Sequence, residues 1–119
     1  DSAALFSTTA ARGVMRAQRL LMAKFVAPPS LDDLASEVGM SRTSLCVGFR
    51  QILGQSVYDY IQDLRMQHAL ALLAERNTSI TQIAYAVGYN YPSSFSVAVQ
   101  RRFGATPREL RRRGALAAI

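Results

Sequence analysis

The chain states nearly the same pattern twice. Residues 30–57 read SLDDLASEVGMSRTSLCVGFRQILGQSV, and residues 79–107 read SITQIAYAVGYNYPSSFSVAVQRRFGATP. Aligned, Ser30 falls on Ser79, Leu31 on Ile80, Leu34 on Ile83, Ala35 on Ala84, Val38 on Val87 and Gly39 on Gly88. One inserted residue near Pro92 resets the frame. Leu45 then falls on Phe95, Val47 on Val97, Phe49 on Val99, Leu53 on Phe103 and Gly54 on Gly104. A short helix, a turn at glycine and a second helix make a helix-turn-helix pattern. Any fold of this chain must hold that unit twice, and two copies at fixed separation point to one molecule reading two neighbouring stretches of a DNA duplex.

Local signals divide the rest of the chain. Val14, Ala17, Leu21 and Phe25 recur at helical spacing from about Ala10, and Ala27-Pro28-Pro29 stops that helix. Ser30 caps a helix whose first turn holds Asp32 and Asp33, carboxylates at the positive end of the dipole. Its buried stripe is Leu31, Leu34, Ala35 and Val38, and Gly39 makes the turn. Ser41 caps the next helix, about 42–53, which Gly54 ends as a left-handed cap. Ser56 and Asp59 open a long helix in capping-box spacing that runs to about Ala74. The second copy gives a helix over 80–87, a turn at Gly88 and a helix from about Pro92 to Phe103. Thr106, Pro107 and Glu109 start a last, short helix ending in the arginine run 111–113. No segment alternates with period two.

The expectation is therefore an all-α fold of about seven helices: two helix-turn-helix subdomains joined by a long linker helix. Residues 1–9 read as a linker remnant or disordered arm, 10–55 as the first subdomain and 56–75 as the linker helix. Residues 76–119 read as the second subdomain with its basic C-terminal helix. The chain begins at Asp1 rather than methionine, which points to a piece of a longer protein.

Charge narrows the partner. The net charge of +6 is carried almost wholly by arginine, Lys24 being the only lysine. Arginine's planar fork matches phosphate oxygens and guanine edges. Residues 1–59 hold six basic and five acidic groups, whereas residues 60–119 hold eight and three, so the electrostatic anchor is expected in the C-terminal half. A single cysteine, Cys46, rules out an internal disulfide and fits a reducing cytoplasm. No run of about 18 apolar residues suits a membrane span, and no signal peptide is legible. One histidine, His68, and one cysteine cannot supply a metal site, and no carboxylate, histidine or glycine-loop constellation points to catalysis or to a cofactor.

If Leu45 and Phe49 point inward, Arg42, Thr43, Cys46, Val47 and Arg50 take the outer face of the first recognition helix. Inward Phe95, Val99 and Phe103 leave Ser93, Ser94, Ser96, Val97 and Gln100 outside in the second. The base-facing set is thus Arg42, Thr43, Cys46, Val47, Ser93, Ser94, Ser96 and Val97; the alternative puts both valines in the core. Phosphates fall to Ser41, Arg50, Gln100, Arg101, Arg102, Arg108 and Arg111, although the arginine run also suits a solvated helix end. A linker helix of about 18 residues, at roughly 1.5 Å per residue, spans on the order of 27 Å. With flanking elements that approaches one DNA turn, roughly 34 Å, which brings both helices into successive major grooves.

The same residues carry a family resemblance. LASEVGMSRTSLCVGFRQILGQSVYDYIQDLRMQHALALL and ITQIAYAVGYNYPSSFSVAVQRRFGATPRELRR, about residues 14–113, resemble the AraC/XylS transcription regulators. The most specific stretches are Ile83-Ala84-x-x-Val87-Gly88-Tyr89, Phe95-Ser96 and Arg102-Phe103-Gly104-x-Thr106-Pro107, with Arg65, Ala69 and Leu73 on the long helix. The resemblance implies a seven-helix unit that binds double-stranded DNA, C-terminal to a separate sensing or dimerising domain, in regulators that often activate transcription by contacting RNA polymerase. This chain departs from many members at Val97, where they carry arginine, at Val47, where they carry a large polar or basic residue, and at Val99, where they carry phenylalanine. A rival reading is a basic helical module that docks an acidic protein partner.

Overall fold

A computed structural model describes residues 8–117, with side chains as far as Gly114. Among them are seven helices and no strand: α1 (Thr8–Lys24), α2 (Leu31–Glu37), α3 (Arg42–Leu53), α4 (Val57–Ala74), α5 (Ile80–Ala86), α6 (Pro92–Phe103) and α7 (Pro107–Ala117). The arm expected over residues 1–9 lies outside the described residues as far as position 7, and Thr8 and Thr9 already belong to α1. The last helix does not stop at the arginine run but continues to Ala117, since alanine and leucine after Gly114 favour helix.

The helix boundaries follow from side-chain caps. Ser30 accepts from the Asp33 amide at 3.1 Å, Ser56 from Asp59 at 3.0 Å and Ser79 from Gln82 at 3.1 Å. In return the Ser79 amide donates to Gln82 Oε1 at 3.0 Å, completing a capping box. Thr106 accepts from the Glu109 amide at 3.2 Å and donates to its carboxylate at 3.1 Å. The two inter-helix turns share one geometry. Met40 and Gly39 donate to Ala35 and Ser36, and Tyr89 and Gly88 donate to the aligned Ala84 and Tyr85. This crossed pair of bonds is the Schellman arrangement, which satisfies the orphan carbonyls at a helix end.

The chain divides into two compact units, one ending at Gln62 and one beginning at Asp63, so the division falls within α4. The core of the first unit is Val14, Ala17 and Leu21 from α1, Leu34 and Ala35 from α2, Leu45 and Phe49 from α3, and Val57 and Ile61 from the start of α4. Gly48 sets how closely α1 approaches α3, because a Cβ there would meet Val14 Cγ2 at 3.0 Å. The Tyr60 and Phe49 rings meet edge to face with centroids 5.5 Å apart. Burying a side chain the size of Phe49 contributes about 1.5–3 kcal/mol.

The second unit buries Leu64, Met66, Ala69 and Leu73 of α4 with Ile83, Ala84, Val87, Phe95, Val99 and Ala105. The Tyr89 and Phe95 rings meet edge to face with centroids 5.6 Å apart, and the Arg65 guanidinium lies over the Tyr89 ring at 5.4 Å. Arg65, Ala69 and Leu73, which the family resemblance singled out, thus all face this core or its margin.

Candidate nucleic-acid interface

Inward and outward faces of α3 sort as the periodicity requires. Leu45 and Phe49 are fully buried, while Arg42, Thr43, Val47 and Arg50 are exposed and Cys46 is half-buried. Thr43, Val47 and Arg50 are spaced four and three residues apart and form one ridge opposite the core. In α6, Phe95 and Val99 are fully buried, Ser93, Ser94, Val97 and Gln100 are exposed, and Ser96 is half-buried. The alternative that placed both valines in the core is excluded by their exposure.

The starts of the two helices differ. Ser41 caps α3 by accepting from the Ser44 amide at 3.1 Å, and its own hydroxyl donates to Ser44 Oγ at 2.9 Å. That hydroxyl is occupied, but the amides of Arg42 and Thr43 stay open at the positive end of the dipole. Tyr91 caps α6 without a side-chain bond, and its carbonyl takes the amides of Ser94 and Phe95. Pro92 has no N–H, so Ser93 holds the open amide of that turn. Within the helices themselves, arginine stands in the first turn of α3 but not of α6. Arg42 makes a loose ion pair with exposed Asp32 at 3.8 Å, which binding to a stronger anion would readily displace.

Within the second unit, the starts of α5, α6 and α7 surround an open cleft of about 480 Å³ lined by Ile80, Thr81, Pro92, Ser93, Ser96, Thr106, Pro107 and Arg108. It brings together three of the residues expected from sequence: Ser93, Ser96 and Arg108. Hydroxyl groups and a guanidinium around a cleft of this size suit an oxyanion such as a backbone phosphate. Ser94, Val97, Gln100 and Arg101 lie elsewhere on α6 and are exposed.

Arg102 and Arg111, also expected at phosphates, each have partners within the second unit. Arg102 lies nine residues, or two and a half turns, beyond Ser93 and so on the opposite side of α6. There it forms an ion pair with Asp63 of α4. Arg111, half-buried, donates from Nε to the Leu73 carbonyl at 3.0 Å and from Nη2 to the Glu75 and Thr78 carbonyls at 3.1 and 2.6 Å. Its fork is spent on closing the C-terminal end of α4, which gives it a structural task that the phosphate expectation had not included. Arg112 and Arg113 are exposed beside it.

Two features escaped the sequence reading. Thr81 and Thr106 join the cleft only through the convergence of three helix starts, which no local pattern shows. A shallow groove of about 370 Å³ runs along α1, lined by Thr8, Ala11, Arg12, Met15, Arg16 and Arg19. The signal for it was present: arginines four and three residues apart share a helix face. Arg16 pairs loosely with Glu37 at 3.7 Å. Among the described residues, no group of His, Cys, Asp or Glu stands close enough to hold a metal ion, and no helix is long and apolar enough to cross a membrane.

Comparison with known proteins places this architecture. A family model described as a helix-turn-helix domain matches residues 34–113. Regulatory protein PchR of Pseudomonas aeruginosa is 42% identical over 64 residues, covering 54% of this chain and 22% of that protein. The HTH-type transcriptional regulator GlxA of Rhizobium meliloti is 40% identical over 80 residues, covering 67% of this chain and 25% of that protein. The chain therefore spans about a quarter of the length of these curated relatives. Among solved structures, a transcriptional regulator of the AraC-type DNA-binding domain-containing proteins from Chromobacterium violaceum is similar with a TM-score of 0.80 and 36% identity, covering 87% of this chain and 93% of that one. Repeat, fold and relatives agree: the chain belongs to the AraC family of helix-turn-helix DNA-binding domains.

Proposed function

We propose that this chain is the sequence-specific DNA-reading part of a cytoplasmic transcription regulator, with α3 and α6 entering successive major grooves of one duplex. The observation that carries this reading is the matched pair of recognition helices. Both have 12 residues, both bury two large apolar side chains on one side, and both leave short polar residues and a valine exposed on the other. Thr43, Cys46, Val47 and Arg42 face bases in one half-site, and Ser93, Ser94, Ser96 and Val97 in the other. Arg50, Gln100, Arg101, Arg108 and the amides after Ser41 and Pro92 hold phosphates. The regulator activates transcription by contacting RNA polymerase. A sensing or dimerising domain accompanies it in the same polypeptide, a reading supported by the fraction of its relatives' length that the chain spans.

The test is selection of a duplex from a random pool, followed by fluorescence-anisotropy titration at several salt concentrations. The selected site is expected to bind at least a thousandfold more tightly than a scrambled one. Inserting about five base pairs between the half-sites turns them to opposite faces of the duplex and should abolish most of that advantage. Equal affinity for selected and scrambled duplexes would leave the protein-docking module as the better reading. Unchanged affinity after the insertion would mean that only one helix enters DNA.

A further inference from the structure

The two recognition helices place their arginines differently, Arg42 and Arg50 in α3 against Arg101 and Arg102 in α6, yet carry the same residue at the same place. Val47 is the sixth residue of α3 and Val97 the sixth of α6. They are 48% and 55% exposed, whereas Leu45 and Phe49 of α3 and Phe95 and Val99 of α6 are fully buried. Neither position is needed to fill a core, and a β-branched residue is a poorer helix former than alanine at an exposed site. An exposed isopropyl group at the same point of both helices is free to meet an apolar partner.

The major groove offers one. Among the base edges displayed there, only thymine carries a methyl group, on C5. The outward neighbours of each valine toward the helix start, the half that leads into the groove, are short: Thr43 and Cys46 in α3, Ser93 and Ser96 in α6. Short side chains let the helix approach the groove floor closely enough for isopropyl and methyl to touch. We infer that Val47 and Val97 each pack against the C5-methyl of a thymine, so that the two half-sites share one thymine although the helices differ in their other outward residues. The inference rests on the proposed function, since it requires both helices in the major groove.

Deoxyuridine differs from thymidine by that methyl alone, which makes the test specific. Each thymine of the selected duplex is replaced in turn by deoxyuridine, and affinity is measured for the unaltered chain, for Val47→Ala and for Val97→Ala. Alanine favours helix at an exposed site, so both variants keep the fold. Losing one buried methyl should weaken binding roughly fourfold. One thymine in each half-site is expected to show that loss; the first loss should vanish in Val47→Ala and the second in Val97→Ala. Deoxyuridine tolerated at every thymine, or a loss that persists in both variants, would overturn the inference while leaving sequence-specific binding intact. Failure to select any duplex would instead remove the proposed function, and this inference with it.

Discussion

Arg111 donates from Nε to the carbonyl oxygen of Leu73 at 3.0 Å, so a residue of α7 closes the end of α4 from 38 positions away. The last carbonyls of a helix have no partner within it, and glycine, water or a long cation must serve them. Here one guanidinium serves Leu73, Glu75 and Thr78 together. Charge complements the helix dipole at the same point. The second unit is thereby tied together at its two ends in sequence.

Arg111→Ala should destabilise the second unit by about 2–3 kcal/mol, because bonds to a charged donor are lost and part-buried carbonyls are left open. Arg111→Lys should recover only part of this, since an ammonium cannot reproduce the fork. Urea unfolding followed by circular dichroism measures both. The dependence of DNA affinity on salt should stay unchanged in the folded variant; a shallower dependence would show that Arg111 also neutralises a phosphate.

Gly54 and Gly104 end the two recognition helices with φ of 77° and 70°, and at each an added Cβ would meet nothing within 4 Å. Alanine at either position is penalised by backbone conformation and by no steric clash. Gly54→Ala and Gly104→Ala should each cost about 1–2 kcal/mol, and by similar amounts. Thermal unfolding of the two variants side by side checks the equality. A much larger loss at one of them would show that its helix end is also held by packing.

Arg101 and Arg108 are exposed, and Arg108 lines the cleft at the start of α6. Replacing either by alanine should weaken binding to every duplex alike and lower the salt slope by about 0.9. Arg102→Ala should lower it less, because Asp63 already neutralises that guanidinium. Asp63→Asn should in turn raise affinity for duplexes of any sequence, by releasing Arg102 and removing a negative charge. Titrations on selected and scrambled duplexes over a range of salt concentrations measure all four. An Arg108→Ala effect confined to one sequence would assign it to a base instead.

Local features of the fold were legible because short-range physics decides them. Ser30, Ser79 and Thr106 cap helices three residues away, and the inward pairs Leu45 with Phe49 and Phe95 with Val99 lie one turn apart. A window of a few residues contains all that these positions need. The outward position of Val47 and Val97 follows from the same period. The tasks of Arg102 and Arg111 were hidden for the opposite reason. Their partners, Asp63 and the end of α4, are more than 30 residues away, and an arginine in a basic run looks the same whether it meets a phosphate or a carbonyl. The cleft among three helix starts is hidden likewise, since Thr81, Ser93 and Arg108 share no local pattern.

The separation of inward from outward positions on α3 and α6 bears on how such a protein changes its target. The residues that fix the fold, Leu45, Phe49, Phe95 and Val99, are not those that face outward. Single substitutions at Thr43, Val47, Ser93 or Val97 leave the buried set untouched, so under the proposed function preference would drift at one half-site while the other keeps its hold. New promoters would then be reached by small steps through intermediates that still fold and still bind, and a duplicated reader would be a way of retargeting without passing through a non-binding form.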